Sequence, residues 1–455
     1  MHRDKPQHIA IRRTLDVKIW AIAWPAIVAN ISIPLMGLVD AALLGHLDSP
    51  THLAAVAVGA AVLSFFYCGF SFLRMGTTGE VARANGAGDE RRALLALARS
   101  ALIALSVAGL LLLFQGPLLA LGFAIMGSRP EIYVPADNYA ALRLLSAPAV
   151  LLTYTAVGWF IGHQDTRWPL RILVVTNLIN IVLDALFILG LGLASSGAAI
   201  ATVIAEYVGL FIAIIGLRKH WASLFSAALW AQLRDLKPYL HLLRSNLSLF
   251  FRTLTLLFAF AFFTAAGEAL GPEVVAANAV MMQFLLFAAF AMDGFAYAAE
   301  GLAGEALGSG DTERFFQVSR RCALWTGVSA LVISTIILLS KPWLFPLLTG
   351  LPEVLAVMSA QGLWLVVLPV IAAPSYLLDG LFIGAGATRA MMLSMLFSAF
   401  LIYLPCWYVT TGLGNQGLWL SFAVFNASRG ITLALSFGYF TRQRRWQYWS
   451  QDLTA

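Results

Sequence analysis

Twelve apolar runs, each long enough for one helix to cross a bilayer, govern what this chain can fold into. They lie near 18–45, 54–77, 94–124, 137–163, 168–191 and 196–217, then near 245–266, 274–299, 319–348, 357–384, 390–411 and 417–440. Roughly 20 apolar residues of helix span the hydrocarbon, where an open strand would leave its backbone polar groups unsatisfied. The third and ninth runs exceed that length and are expected to tilt or to extend past the bilayer. Charged residues make up only 11% of the 455 and hydrophobic ones 60%, which excludes an ordinary soluble domain. The expected fold class is an all-α integral membrane protein with twelve transmembrane helices.

The formal net charge of +6 describes topology rather than a nucleic-acid partner. Basic residues gather at the N-terminal end (Arg3, Lys5, Arg12, Arg13, Lys18) and in every second connection, such as Arg91 and Arg92, Arg167 and Arg171, Arg320 and Arg321, and Arg389. The intervening connections "HLDSPTH", "GLGLASSG", "AGEALGPE" and "TGLGNQG" contain no Lys or Arg. The positive-inside rule then puts both termini of this multi-pass chain in the cytoplasm. The N-terminal stretch "MHRDKPQHIAIRRTLDVK" is read as a cytoplasmic tail, since no small-residue cleavage site ends a short apolar core. Cys68, Cys322 and Cys406 are far apart in apolar runs and form neither a metal spacing nor a disulfide framework.

The two sets of six runs repeat one another. "GAGDERRALLALARSAL" from Gly86 resembles "GSGDTERFFQVSRRCAL" from Gly308, and "GWFIGHQDTR" from Gly158 resembles "GLFIGAGATR" from Gly380. Both pairs keep an offset of 222, a register that two unrelated motifs would not share. Each repeat has an even number of spans, so the halves keep one orientation and are parallel repeats about an axis along the membrane normal. The expected architecture is an N-terminal lobe (1–217), a cytoplasmic linker (218–244) and a C-terminal lobe (245–455): two six-helix bundles around a central V-shaped cleft suited to alternating access.

Acids inside the runs carry the functional argument, because an ionisable group at membrane depth faces a cavity or a partner. Asp40 interrupts "PLMGLVDAALLGHL". In "TNLINIVLDALFILG", Asn177, Asn180 and Asp184 are spaced three and four apart and share one helix face. In the sixth run Thr202 and Glu206 are four apart. Counting about 1.5 Å per residue sets Asp40, Asp184 and Thr202 at one depth in the outer half of the N-terminal lobe, with Asn180 and Glu206 about one turn deeper. Thr202 alone fits a hydroxyl bonded back to its own helix, and Asn180 alone an interhelical contact; the two acids together point to a functional site. At offset 222 Asp40 maps to Phe262 and Asp184 to Cys406, so the acid pair belongs to one lobe only. Two neighbouring carboxylates can share one proton near neutral pH. Pro25 and Pro34 interrupt the hydrogen-bond ladder of the first helix and make a bend there inexpensive, a hinge candidate.

The C-terminal lobe carries Arg252, Asp293 and Asp379 in its seventh, eighth and tenth runs, with Arg429 in the last; an Arg–Asp pair would account for their burial. Arg143, near the outer end of the fourth run, is expected to snorkel to the surface, with pairing to the outer acids as the lesser alternative. Methionines and aromatics along a cleft would tolerate many ligand shapes.

These stretches together resemble the multidrug and toxic compound extrusion (MATE) family, and within it the DinF-like branch. The most specific are "GLVDAALLGHLDSP", "FLRMGTTGEVA", "NIVLDALFILGLG", "GAAIATVIAEY", "AMDGFAYAAEGLAGEALG" and "LLDGLFIGA". The resemblance implies export of amphipathic, often cationic, compounds in exchange for protons or sodium ions. It assigns Asp40 to coupling and substrate release, with Asn180, Asp184, Thr202 and Tyr139 as polar partners. The sodium-linked branch has an acid on the seventh helix; here 245–266 has none and carries Arg252, so a cation site in the C-terminal lobe lacks one of its acids. Expected partners are small amphipathic molecules and membrane lipid, with no nucleic acid, no cofactor and no certain metal; the coupling ion is a proton or, alternatively, sodium at Asp40, Asn180, Asp184 and Thr202. The expected unit is a monomer. A lipid-linked precursor flippase would need a strongly cationic cleft, whereas the N-terminal candidates are net acidic. An enzyme is disfavoured because no HExxH or GxSxG motif occurs and the seven histidines are scattered.

Overall fold

The computed structural model describes residues 5–45, 50–126 and 130–448, without the side chains of 5–13, 34–38, 40–42, 45, 50, 130–131 and 447–448. Among them there is no strand. The N-terminal half contains α1 (Lys5–Gly45), α2 (Pro50–Gly69), α3 (Phe72–Gly86), α4 (Glu90–Leu113), α5 (Gln115–Met126), α6 (Pro130–Leu144), α7 (Ala147–Gly162), α8 (Arg167–Asp184) and α9 (Ala194–Gly216). Short helices α10 (Trp221–Leu224) and α11 (Ala227–Gln232) occupy the polar connection. The second half runs through α12 (Lys237–Glu268), α13 (Pro272–Gly308), α14 (Thr312–Leu348), α15 (Pro352–Ala385), α16 (Thr388–Leu396), α17 (Leu404–Thr410), α18 (Asn415–Arg442) and α19 (Arg445–Tyr448).

Among the described residues eleven helical stretches are long and apolar enough to cross a membrane, and α6 with α7, bent by 50° at their junction, supplies a twelfth. The expected count therefore holds. The long third run departs from expectation: it is α4 and a separate apolar helix α5, divided at Phe114. The ninth run is one helix of 37 residues.

The chain forms two compact units. One comprises residues up to Ile27, Ala82–Gly88 and the chain from Arg244; the other comprises Val28–Val81 and Asp89–Leu243. Helix α1 thus changes unit two residues after Pro25, and α3 changes unit near its C-terminal end. In the second unit α8 packs on α9, α2 on α6 and α4 on α7; in the first, α13 packs on α14 and α15, and α15 on α18. The first unit's core is aromatic, built around Phe263, Tyr403, Trp419, Phe422 and Phe425. The start of α1 is held there by Asp16, which accepts from Arg321 Nε at 2.8 Å and from Trp325 Nε1 at 2.9 Å.

The repeated glycine motif has a packing cause. A Cβ on Gly158 would fall 2.5 Å from the Arg74 carbonyl oxygen, and one on Gly380 would fall 2.5 Å from that of Ala296. Arg74 and Ala296 are themselves 222 apart, so both halves bring one helix backbone directly against another at the same register. Helices in lipid gain from such close approach because hydrophobic burial does not drive their association. The loops keep the register too: Gly88 and Gly310 have φ of 70° and 75°, and Gly192 and Gly414 have 65° and 57°. Asp89 and Asp311 cap the next helices in the same way, each accepting from a backbone N–H at 2.8 Å.

Gly158→Leu is expected to lower the melting temperature of the purified protein, at a cost of about 1–3 kcal/mol from overpacking. Gly109→Leu, where nothing lies within 4 Å of an added Cβ, should leave it unchanged. Equal melting temperatures for both variants would refute the close-packing account.

Orientation is tested by single cysteines at the exposed Leu191 and Leu413 in a chain lacking its native cysteines. Both should react with an impermeant thiol reagent on intact cells, and cysteines replacing Ala87 and Ser309 should not. The reverse pattern would overturn the positive-inside assignment.

Candidate functional site

Two polar clusters occupy the apolar helices of the second unit. Asn180 and Asp184 on α8 are 0% exposed, and Thr202 on α9 is 1% exposed. Asn180 Nδ2 donates to Thr202 Oγ1 at 3.1 Å, and Thr202 donates to the Ala198 carbonyl at 2.8 Å. Asn180 Oδ1 has no hydrogen-bond partner among the described residues. Thr202 therefore meets Asn180, which lies one turn before Asp184 on the same helix.

Asp184 is the last residue of α8. From Ala185 to Gly190 the helix widens into a π turn, a rare geometry concentrated at functional sites. It starts at the one buried carboxylate of that helix. Asn177, a turn before Asn180, reaches α1: its Nδ2 donates to the Ser32 carbonyl and to Ser32 Oγ, each at 3.2 Å.

The second cluster follows the lesser of two expectations. Arg143 does not snorkel; its Nη1 pairs with Glu206 Oε2 at 2.9 Å. Both side chains are largely buried, so each is the other's compensation for leaving water. Tyr139, one turn before Arg143 on α6, is buried at 4%. Nearby hydroxyls brace the break between α6 and α7, with Tyr207 donating to the Leu145 carbonyl at 3.0 Å.

Asp40 lies in α1, and its side chain is outside the described residues, as is that of Pro34. Pro25 is buried. Helix α1 runs unbroken through both prolines.

The first unit gathers the other charges around one carboxylate. Arg252 Nη2 on α12 donates to Asp379 Oδ2 on α15, and Arg429 Nη2 on α18 donates to the same oxygen at 3.0 Å. Arg429 Nη1 also donates to Asn426 Oδ1 at 3.3 Å, and its guanidinium lies 5.6 Å from the centre of the Phe425 ring. A cavity of about 440 Å³ opens beside this triad, and Arg252, Arg429 and Asp293 are among its lining residues. The sequence offered an Arg–Asp pair among these charges without saying which acid; the structure pairs both Arg252 and Arg429 with Asp379, and the cavity was not foreseen. The only signal was a single arginine in the middle of the last apolar run.

No group of three or more His, Cys, Asp or Glu could hold a metal ion among the described residues. Two of the scattered histidines do meet, with the rings of His163 and His220 6.4 Å apart and His220 Nδ1 3.0 Å from Glu90. Burial holds the His163 imidazole below the usual histidine range.

Comparison with known proteins places these clusters in context. The MatE family model matches the chain twice, over residues 25–186 and 248–409. The second match starts one residue beyond the position at which the 222-residue register places the first. DNA damage-inducible protein F of Escherichia coli (strain K12) is 38% identical over 443 residues, covering 96% of this chain and 95% of that protein. Multidrug resistance protein MdtK of Edwardsiella ictaluri is 28% identical, covering 93% of this chain and 95% of that protein. Among solved structures, a point mutant of the Vibrio cholerae MATE transporter VcmN has a TM-score of 0.85 at 23% identity, covering 96% of this chain and 99% of that one.

Proposed function

The chain belongs to the MatE family, a family of transporters rather than enzymes, and from that premise we propose that it is a secondary active efflux antiporter. It exports amphipathic, often cationic, compounds by alternating access and takes up protons in exchange. The observation that supports this best is the fully buried Asp184 at the start of a π turn, with the Asn180–Thr202 pair one turn away. A carboxylate shielded from water in this way is poorly screened, so protonation changes the local electrostatics sharply.

Asp40 is the titrating group on α1 and Asp184 its partner on α8. In the deprotonated state the pair attracts a cationic cargo. Proton entry from outside removes that attraction and lets α1 bend at its prolines, and the cargo leaves. The change of unit in α1 after Ile27 and the Asn177–Ser32 tether agree with a first helix whose two parts answer to different neighbours. The protein works as a monomer in the bacterial cytoplasmic membrane, both termini inside.

One observation favours sodium as a second reading. Asn180 Oδ1 is buried without a hydrogen-bond donor among the described residues, and with the Asp184 carboxylate it offers oxygen ligands to a small cation. Efflux of a cationic dye from proteoliposomes, under proton and sodium gradients imposed separately, decides. A proton gradient alone should drive it. Drive by sodium alone would replace the coupling ion, and drive by neither would overturn the antiporter assignment.

A further inference from the structure

The cavity of the first unit differs chemically from the acidic cluster of the second. Its volume of about 440 Å³ falls within the range of small-molecule sites. Leu256, Phe260, Met282, Leu368, Phe422 and Phe425 supply apolar wall. Two arginines also line it, and both are deeply buried, at 8% exposure for Arg252 and 3% for Arg429. Each already gives one donor to Asp379 Oδ2, so the protein itself shows that both guanidiniums can converge on a carboxylate. Neither is used up by it. The Nε of Arg252 and the Nε of Arg429 are buried without a hydrogen-bond partner among the described residues. Both guanidiniums also line the cavity, where a charged acceptor supplied by a ligand would form a charge-assisted hydrogen bond with them.

We propose that this cavity binds amphipathic carboxylates, with the carboxylate on Arg252 and Arg429 and the apolar body among Leu256, Phe260, Leu368 and Phe422. The planar guanidinium suits a carboxylate better than an ammonium point charge would. Asp293 on the wall and Asp379 within the triad set two acids beside the two arginines, so a zwitterion with its ammonium toward Asp293 is accommodated as well. The site is independent of the coupling chemistry above, since it needs neither Asp40 nor Asp184.

Binding to the full-length protein in nanodiscs of uncharged lipid tests this with a probe series that shares one tail: 11-(dansylamino)undecanoate, its methyl ester and the matching trimethylammonium compound. The carboxylate should bind at least about tenfold tighter than the ester, the effect of one charge-assisted hydrogen bond, and the ammonium compound weakest. This arm uses the unaltered protein and depends on no variant folding. Arg429→Gln and Arg252→Gln should each reduce the carboxylate's advantage while leaving the ester unchanged. Asp379→Asn should increase it, because the arginines lose their internal competitor. A dansylated aryl carboxylate without the long tail separates a water-borne ligand from a lipid-derived one; binding of either supports the site. Equal affinity for carboxylate and ester, tightest binding of the ammonium compound, or an advantage that survives both arginine substitutions would overturn the proposal.

Discussion

Asp40→Asn is expected to leave a folded protein whose proton-driven efflux has fallen to the leak rate of empty vesicles. Asn mimics the protonated acid in size and in hydrogen bonding but cannot lose the proton. A carrier that is permanently in one protonation state binds cargo without being able to exchange it for protons. Asp184→Asn should have the same effect or nearly so. Its carboxylate is 0% exposed, and a neutral amide there is cheaper to bury than a charge, so loss of transport would not be loss of fold. Asp379→Asn is the comparison: its oxygen is bonded by two arginines, a structural arrangement, and most efflux should remain. Dye efflux from proteoliposomes over a range of external pH is the measurement. Wild-type rate and wild-type pH dependence in Asp40→Asn would take that residue out of the coupling and remove the mechanism.

The second large effect is on stability. Asp379→Leu strips the shared partner from Arg252 and Arg429, both buried, and should destabilise the protein by about 3–5 kcal/mol, the usual cost of an uncompensated buried charge. Loss of the monodisperse peak in size-exclusion chromatography after mild heating would report it. The triple variant Arg252→Met, Asp379→Leu, Arg429→Met should recover most of that loss, because removing a whole buried ion triad is often neutral. If Asp379→Leu alone is as stable as the wild type, the arginines find other compensation and the triad is not what holds α12, α15 and α18 together.

Both expectations rest on side chains that differ in how visible they were. Asp40 and Asp184 announced themselves, because a carboxylate inside an apolar run has no cheap explanation in lipid. Asp379 announced itself for the same reason, and so did Arg252. What each of them touches was not legible. Arg143 stood near the end of its run, where snorkelling is the simplest outcome, and it turned inward to Glu206. Thr202 was counted level with Asp184, and that it accepts from Asn180 was not foreseen. Arg429, unremarked beyond its mid-span position, became the second donor to Asp379.

By itself the sequence determined the all-helical class, twelve spans, the duplicated register of 222 and the recurrence of its glycines. Those features are one-dimensional. Hydrocarbon obliges the backbone to satisfy its own hydrogen bonds, so apolar length translates directly into helices, and a close backbone crossing leaves a glycine at a fixed spacing. Only the tertiary structure decided which polar groups pair, where α1 passes from one unit to the other, and that a cavity opens beside the arginine triad. A helical turn is about 5.4 Å long, larger than the difference between a hydrogen bond and no contact. The 50° bend between α6 and α7 and the π turn after Asp184 each break the regular helical spacing, and residue counting along an axis does not register either.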